Sequence, residues 1–93
     1  MKNMIYNSNI GEIDLSKLIR LYPAVVVELN GDIAEMSLEW VELYGSKVKI
    51  ISFVLVFDFT PPSEEEKDKK ILEFKTKNEL IMAMQEVSQF FQE

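Results

Sequence analysis

The hydrophobic pattern of this chain is densest in residues 48–59, which read V-K-I-I-S-F-V-L-V-F-D-F. Valine, isoleucine and phenylalanine pack well on a pleated surface and lose rotamer freedom in a helix, so this stretch is predicted to be a β-strand. Side chains of a strand alternate between two faces, and here both faces are apolar. The pattern therefore predicts two covering layers, made of helices, a second sheet or another copy of the chain.

The two predicted faces of this strand carry side chains of different size. The larger side chains are Ile51, Phe53, Leu55, Phe57 and Phe59. The smaller ones are Val48, Ile50, Val54 and Val56. A helix of about fifteen residues is only about 22 Å long, so a single amphipathic helix shields one face and leaves the other in need of cover.

A second strand is predicted over residues 22–29, because a β-branched run there is followed by Asn30-Gly31. Both turn residues tolerate a positive φ, and this pair is the strongest short signal for a tight hairpin. The hairpin predicts that the chain returns antiparallel to residues 22–29.

Residues 33–44 fit two patterns. As a strand they alternate apolar and polar side chains directly after the turn. As a helix they have a capping box at Asp32 and Glu35 and a terminator at Gly45. The turn favours the strand, which we predict; the helical alternative gives a ferredoxin-like α/β sandwich.

The chain termini are predicted from shorter patterns. Residues 4–6 are candidates for an edge strand, and residues 14–22 for a helix capped by Asp14, with a strand over residues 12–18 as the alternative. Residues 71–75 are predicted to be a short strand. A C-terminal helix follows, with a capping box at its start and an apolar stripe. Its capping and stripe residues are Thr76, Glu79, Leu80, Ala83, Met84, Val87, Phe90 and Phe91.

The predicted fold is one α+β domain, an antiparallel β meander of about four or five strands closed by a C-terminal α-helix. Pro61 and Pro62 end the central strand, and residues 63–70 are predicted to be a solvated charged loop or one exposed helical turn. This order of elements is loosely similar to that of pleckstrin-homology-like domains. The resemblance concerns the fold and implies no activity.

The charge and composition narrow the classes of function. Sixteen acidic and ten basic residues give a formal net charge of -6, which disfavours binding to nucleic acid or to an anionic membrane. The chain contains no cysteine and no histidine, the residues most often used for thiolate metal sites, nucleophilic attack and proton transfer. We therefore expect a cytoplasmic, non-enzymatic protein that uses no cofactor or metal.

The remaining candidates for chemistry are weak. Glu35, Glu39 and Glu42 share one face only if residues 33–44 are helical, and a solvated acidic face is the simpler interpretation. Asp58 is predicted to lie in water at the rim of the central strand. Ser52 has no histidine to activate it and is predicted to be a buried hydroxyl bonded to backbone.

The second apolar face of the central strand is the main functional signal. An uncovered apolar patch of that size is unusual on a monomer, so we expect a homodimer or docking on another protein. The alternative is a binding module for a small apolar ligand between the sheet and the C-terminal helix, and an enzyme using carboxylates ranks last. The candidate interface consists of Val48, Ile50, Val54, Val56 and Trp40.

Overall fold

The computed structural model of the protein describes residues 4–63, 65 and 68–92. Within these residues the chain forms six strands, two α-helices and three short 3₁₀ turns. The strands are β1 (Ile5–Ser8), β2 (Gly11–Asp14), β3 (Arg20–Leu29), β4 (Asp32–Met36), β5 (Lys49–Asp58) and β6 (Lys69–Phe74). The helices are α1 (Leu38–Tyr44) and α2 (Lys77–Ser88).

The main sheet has four strands in the order β4-β3-β5-β6, and every pair of neighbours is antiparallel. β1 and β2 form a separate two-stranded antiparallel sheet. The predicted α+β class, with an antiparallel sheet and a C-terminal helix, is confirmed. The strand order departs from a simple meander because α1 lies between β4 and β5, and β5 pairs on the far side of β3.

β5 confirms the central strand, but its alternation is interrupted. Val26 pairs with Ser52 whereas Val27 pairs with Ile50, so the register shifts and Ile51 is the extra residue. An extra residue of this kind moves the side chains beyond it to the opposite face. The sequence pattern placed Ile50 beside Val54 and Val56; the shift instead puts it on the other face of the sheet.

The hairpin between β3 and β4 forms at the predicted residues. Asn30 and Gly31 have φ angles of 53° and 85°, both in the left-handed region that these residue types tolerate. The pairing then runs back from Leu29 with Asp32 to Val25 with Met36. The hairpin prediction is thus confirmed.

Residues 33–44 divide between the two alternatives. The strand prediction is right as far as Met36 and wrong beyond it, because α1 begins after Ser37. The Ser37 hydroxyl accepts a hydrogen bond from the backbone N–H of Trp40 over 3.1 Å, which caps the first turn of the helix. Gly45 follows α1 in a right-handed conformation, with φ -60°, and continues into a 3₁₀ turn, Gly45–Lys47.

The helix predicted over residues 14–22 is wrong, since only the single 3₁₀ turn Leu15–Lys17 forms there. Asp14 does cap this turn, accepting from the backbone N–H of Ser16 over 3.0 Å. The N–H of Ile19 then donates to the carbonyl of Asp58 over 2.9 Å. This hydrogen bond joins the chain to the end of β5 in the main sheet, so the 3₁₀ turn does not continue as a helix.

The main core lies on one face of the four-stranded sheet, beneath α2 and the β1-β2 sheet. Thr76 caps α2 as predicted, its hydroxyl accepting from the N–H of Glu79 over 3.2 Å. Phe91, predicted to be part of the apolar stripe, is exposed, because α2 ends at Ser88 and a 3₁₀ turn follows. The buried residues of this core are Tyr6, Ile13, Leu15, Leu55, Phe57, Leu72, Leu80, Ala83 and Val87.

The charged connection between β5 and β6 includes Glu64, Glu66 and Lys67, which lie outside the described residues, so the loop prediction for them is untested. At its base, the N–H of Phe59 donates to the carbonyl of Asp68 over 2.8 Å. Within the ranges that the structure describes, neither α-helix is long and apolar enough to cross a membrane.

Candidate protein interaction surfaces

The candidate interface residues fall on two separate surfaces. Val54 and Val56 lie on the face of the main sheet opposite α2, in a small cluster with Ala24. Trp40 and Val48 lie together at the other side of the sheet, where both line a groove beside α1. The candidate interface residues therefore do not form one continuous surface.

The first surface is formed around α1 and is called the α1 surface. Five of the seven residues of α1 are apolar or aromatic, yet none of them is buried. Leu43 is 74% exposed and Tyr44 is 46% exposed. Leu29 and Ile50, which adjoin the helix from β3 and β5, are also exposed. The members of the α1 surface are Leu29, Trp40, Leu43, Tyr44, Val48 and Ile50.

A shallow apolar groove runs through the α1 surface. It has a volume of about 220 Å³ and is lined by Leu29, Trp40, Tyr44, Lys47 and Val48. The Trp40 and Tyr44 rings form one wall, with their centroids 5.3 Å apart and their planes at 45°. The volume is below the roughly 300 Å³ at which small-molecule pockets usually begin, so the groove suits a protruding side chain better than a whole ligand.

Packing of Leu38 and two further contacts position α1. The ammonium of Lys77, the first residue of α2, lies 3.0 Å from a carboxylate oxygen of Glu42. At the other end, a Cβ on Gly45 would stand 3.1 Å from Val41 Cγ1, so glycine permits this close approach of the 3₁₀ turn to α1. Leu38 also packs against the main core, and Trp40 and Val41 are half-buried, so the α1 side chains presented to solvent are Leu43 and Tyr44.

The second surface is the uncovered face of the main sheet and is called the open face. Among the residues that the structure describes, its apolar cluster is made of residues of β3 and β5, with no helix residue. The cross-strand registers place fifteen residues on it. They are Arg20, Tyr22, Ala24, Val26, Glu28, Ile33, Glu35, Lys49, Ser52, Val54, Val56, Asp58, Lys69, Ile71 and Glu73.

The expected second covering layer is absent from the described residues, yet Val54 and Val56 are only 2% and 1% exposed. Longer side chains of the same sheet shield them. The Arg20 guanidinium lies 5.0 Å from the centroid of the Tyr22 ring, and Lys69 Nζ donates to the Tyr22 hydroxyl over 3.1 Å. Small side chains can be sheltered in this way by the stems of long neighbouring ones, and cover by another copy of the chain stays a prediction.

Asp58 lies at one end of the open face and is only 7% exposed, so the prediction of a rim position in water is wrong. Its carboxylate accepts a hydrogen bond from the backbone N–H of Thr60 over 2.9 Å. Hydrogen bonding to the N–H and hydroxyl of Thr60 lowers the pKa of Asp58, with smaller contributions from Lys69 and Arg20. The hydrogen bond to Tyr22 raises the pKa of Lys69. Both groups are held in their charged forms.

The acidic residues considered for catalysis are distributed over two elements. Glu35 lies on β4, whereas Glu39 and Glu42 lie on α1, and Glu42 is paired with Lys77. Across residues 4–63, 65 and 68–92, no group of three or more acidic side chains is placed to hold a metal ion. Ser52 is half-buried on the open face, opposite Val26.

A second groove, of about 280 Å³, lies near the base of the β5-β6 connection. Asp14, Lys17, Phe59, Asp68 and Lys70 line it, and the ammonium of Lys70 is 5.9 Å from the Phe59 ring centroid. Neither this groove nor the one beside α1 lies between the sheet and α2, where a small apolar ligand was predicted.

Sequence reasoning missed several residues of both surfaces. Leu43 and Tyr44 were overlooked because residues 38–44 were read as a strand, and a helical spacing in that segment is the signal that identifies them. Arg20 was overlooked because the predicted helix over residues 14–22 hid the start of β3. Tyr22 was included in the strand predicted over residues 22–29 but not in the candidate interface.

Comparison with known proteins gives no assignment. No protein-family model matches the chain, and no match was found among curated proteins or among solved structures.

Proposed function

We propose that this protein acts by binding another protein chain through the α1 surface. The observation that carries the proposal is that α1 buries none of its apolar residues. A helix of seven residues is too short to be stable by itself in water, and helices in globular proteins are held chiefly by packing an apolar face. An α1 that exposes Leu43 and Tyr44 is suited to completing that packing against a partner.

The composition of the α1 surface supports a protein partner. Tryptophan and tyrosine are enriched among the residues that contribute most to binding energy, because they bring large rigid rings with few rotatable bonds. Here Trp40 and Tyr44 line an apolar groove, with Lys47 as its only charged lining residue. A partner that inserts an aliphatic or aromatic side chain into this groove fits its shape and polarity.

The proposed role of this protein is non-enzymatic. Its support is the lack of histidine and cysteine in the sequence, together with the distribution of the acidic residues over separate elements. The function of the protein is then association with a partner chain. The acidic surface outside the α1 surface repels other acidic proteins, which keeps unintended contacts weak.

Site-specific photocrosslinking tests the proposal. A photoreactive residue at position 43 should capture a protein partner in cells that produce this chain, whereas one at position 82 should not. Met82 is the matched control because it is 60% exposed on α2 and is not one of the residues of the α1 surface.

The captured partner should then be purified and titrated against variants of the full chain. Leu43→Asp is expected to weaken binding at least about tenfold, because it places a charge in an apolar contact. Met82→Asp is expected to leave the affinity unchanged. Equal crosslinking at both positions, or equal affinities for the two variants, would contradict the proposal.

A further inference from the structure

β6 forms one edge of the main sheet. Among the described residues it pairs with β5 on one side and with no strand on the other. The N–H of Phe59 donates to the carbonyl of Asp68, which lies opposite it in the register that continues through β5 and β6. Such bonds join every second pair of opposite residues in an antiparallel ladder. Counting on from Asp68, the backbone groups of Lys70, Leu72 and Phe74 point towards β5.

The alternate residues of β6 therefore point their backbone N–H and C=O groups away from the sheet. They are Lys69, Ile71 and Glu73, which share the open face, and all three are exposed. A row of unpaired backbone groups on an edge strand is a template for pairing with another strand. The free edge of β6 can thus accept an extended segment.

We propose that the free edge of β6 pairs antiparallel with the same edge of a second copy of this chain, so that the two main sheets become one continuous sheet. A twofold axis perpendicular to the sheet relates the copies and keeps their open faces on the same side. The axis must then pass between two identical residues, one from each copy, because side chains directly opposite each other lie on the same face. The α1 surface contains no residue of β6, so this pairing goes beyond the proposed function.

The charges of β6 select Ile71 as the residue on the axis. In this register the two Ile71 side chains face each other, and Lys69 of each copy lies opposite Glu73 of the other. A shift by one residue in either direction instead puts two lysines opposite each other, Lys70 with Lys70 or Lys69 with Lys75. Opposite charges stabilise a cross-strand pair, whereas like charges destabilise it. The strand is therefore complementary to itself in the register centred on Ile71.

The side chains at this edge can make the required contacts. Within the described residues the Glu73 carboxylate has no ion pair, and Ile71 is 43% exposed. Lys69 donates to the Tyr22 hydroxyl over 3.1 Å. Because Lys69 is exposed, its ammonium can exchange that neutral acceptor for the carboxylate of Glu73 in the other copy, and a charge-assisted hydrogen bond is the stronger of the two.

The opposite edge of the main sheet, β4, is not complementary to itself. It carries Asp32 and Glu35 and no basic residue, so pairing of two β4 strands gains no attraction between opposite charges in any register. Lysines on an edge strand usually discourage pairing, but on β6 each Lys69 has a matching Glu73. The charge pattern thus favours a dimer through β6.

The small extent of the pairing predicts a weak dimer. The three opposed pairs each exchange two backbone hydrogen bonds, which gives about six between the copies. The contact of two single strands is far smaller than the roughly 800 Å² per partner of a standard stable interface. Its charges are exposed to solvent ions, so association should weaken as salt is added.

Sedimentation velocity of the purified full chain over a dilution series tests this inference. A monomer–dimer equilibrium is expected, with a dissociation constant that rises at least about twofold between low and high salt. Lys69→Glu alone and Glu73→Lys alone should each weaken the dimer at least about fivefold, because each opposes like charges twice. An equimolar mixture of the two variants should restore dimers, since every pair then joins opposite charges.

Ile71→Pro tests the backbone pairing. Proline is tolerated on an edge strand where the missing N–H faces solvent, so the sheet should keep its circular dichroism spectrum while the dimer is lost. The mixing experiment separates lost pairing from lost folding, since a misfolded variant would not be rescued by its complement. Leu43→Asp is the control for the α1 surface and should leave the dimer intact.

Three results would overturn the inference. The first is a chain that stays monomeric at every concentration. The second is a dimer kept by Ile71→Pro and by both single charge variants; if Leu43→Asp then removes it, association runs through the α1 surface. The third is growth beyond dimers as the concentration rises, because pairing of β6 with the different edge at β4 builds open chains of copies.

Discussion

The hydroxyl oxygen of Thr60 accepts a hydrogen bond from the backbone N–H of Asp68, with the two atoms 2.6 Å apart. Thr60 is only 8% exposed, so water does not replace this acceptor easily. The N–H of Thr60 in turn donates to the Asp58 carboxylate. These bonds close the base of the charged connection and join the end of β5 to the start of β6.

Replacing Thr60 by valine should therefore destabilise the protein. The change keeps the shape of the side chain but leaves the Asp68 N–H without its acceptor. Because Asp68 is exposed and the bond is part-buried, the loss should be about 0.5–1.5 kcal/mol, the net contribution of a typical hydrogen bond. Urea unfolding at neutral pH measures the loss. Thr60→Ser keeps the hydroxyl and should stay close to wild type; equal losses for valine and serine would show that the hydroxyl is not the cause.

The lowered pKa of Asp58 predicts a loss of stability in acid. Hydrogen bonds from Thr60 favour the carboxylate in the folded state, so the folded chain holds fewer protons on Asp58 than the unfolded chain. The contribution is full above the ordinary value of 3.8 and is lost as the pH falls through the lower folded pKa. The free energy of unfolding of the wild type should drop in that range.

Asp58→Asn supplies the comparison for this pH dependence. The amide does not titrate, so the difference in unfolding free energy between wild type and variant should be largest at neutral pH and shrink towards pH 3. Asp14, whose pKa is lowered by hydrogen bonds from Ser16, should add a loss in the same direction. Parallel pH profiles for the wild type and Asp58→Asn would contradict the assignment to Asp58.

Parts of the fold were predictable where one physical signal dominates. β5 follows from its β-branched and aromatic residues, and the β3-β4 hairpin follows from two residues that tolerate positive φ. Residues 33–44 were not predictable because two local signals compete there: the turn favours a strand, and Ser37 then caps a helix. No composition rule indicates at which residue one signal gives way to the other.

The candidate surfaces were less predictable because they depend on contacts between distant elements. A register shift at Ile51 moves Ile50 to the other face, and alternation alone contains no sign of it. The cluster that contains Val54 also includes Tyr22 and Val26, which are far from it in sequence. A pattern of residues gives the polarity of a face, whereas its exposure is set by neighbours that only the fold brings near.

Leu80→Ala should be strongly destabilising, because Leu80 is fully buried between α2 and the sheet. Removing a buried leucine side chain to its Cβ costs about 2–5 kcal/mol through lost transfer energy and the cavity that remains. Met82→Ala, at an exposed position of the same helix, should change the stability by less than about 0.5 kcal/mol. Thermal and urea unfolding of both variants measure the difference, and similar losses would contradict the orientation of α2.

Ser37→Ala should loosen α1 without unfolding the rest of the protein. The hydroxyl of Ser37 caps the N–H of Trp40, and loss of such a cap costs about 1 kcal/mol. Because α1 buries none of its residues, that loss is large relative to the packing that holds it, and local opening should increase. Amide hydrogen exchange should accelerate in residues 40–44 while β3 and β5 keep their protection. Ser37→Asp retains a capping oxygen and should exchange like the wild type. An equal acceleration in β5 would mean that α1 opens only with the whole domain, and the α1 surface would then be as rigid as the core.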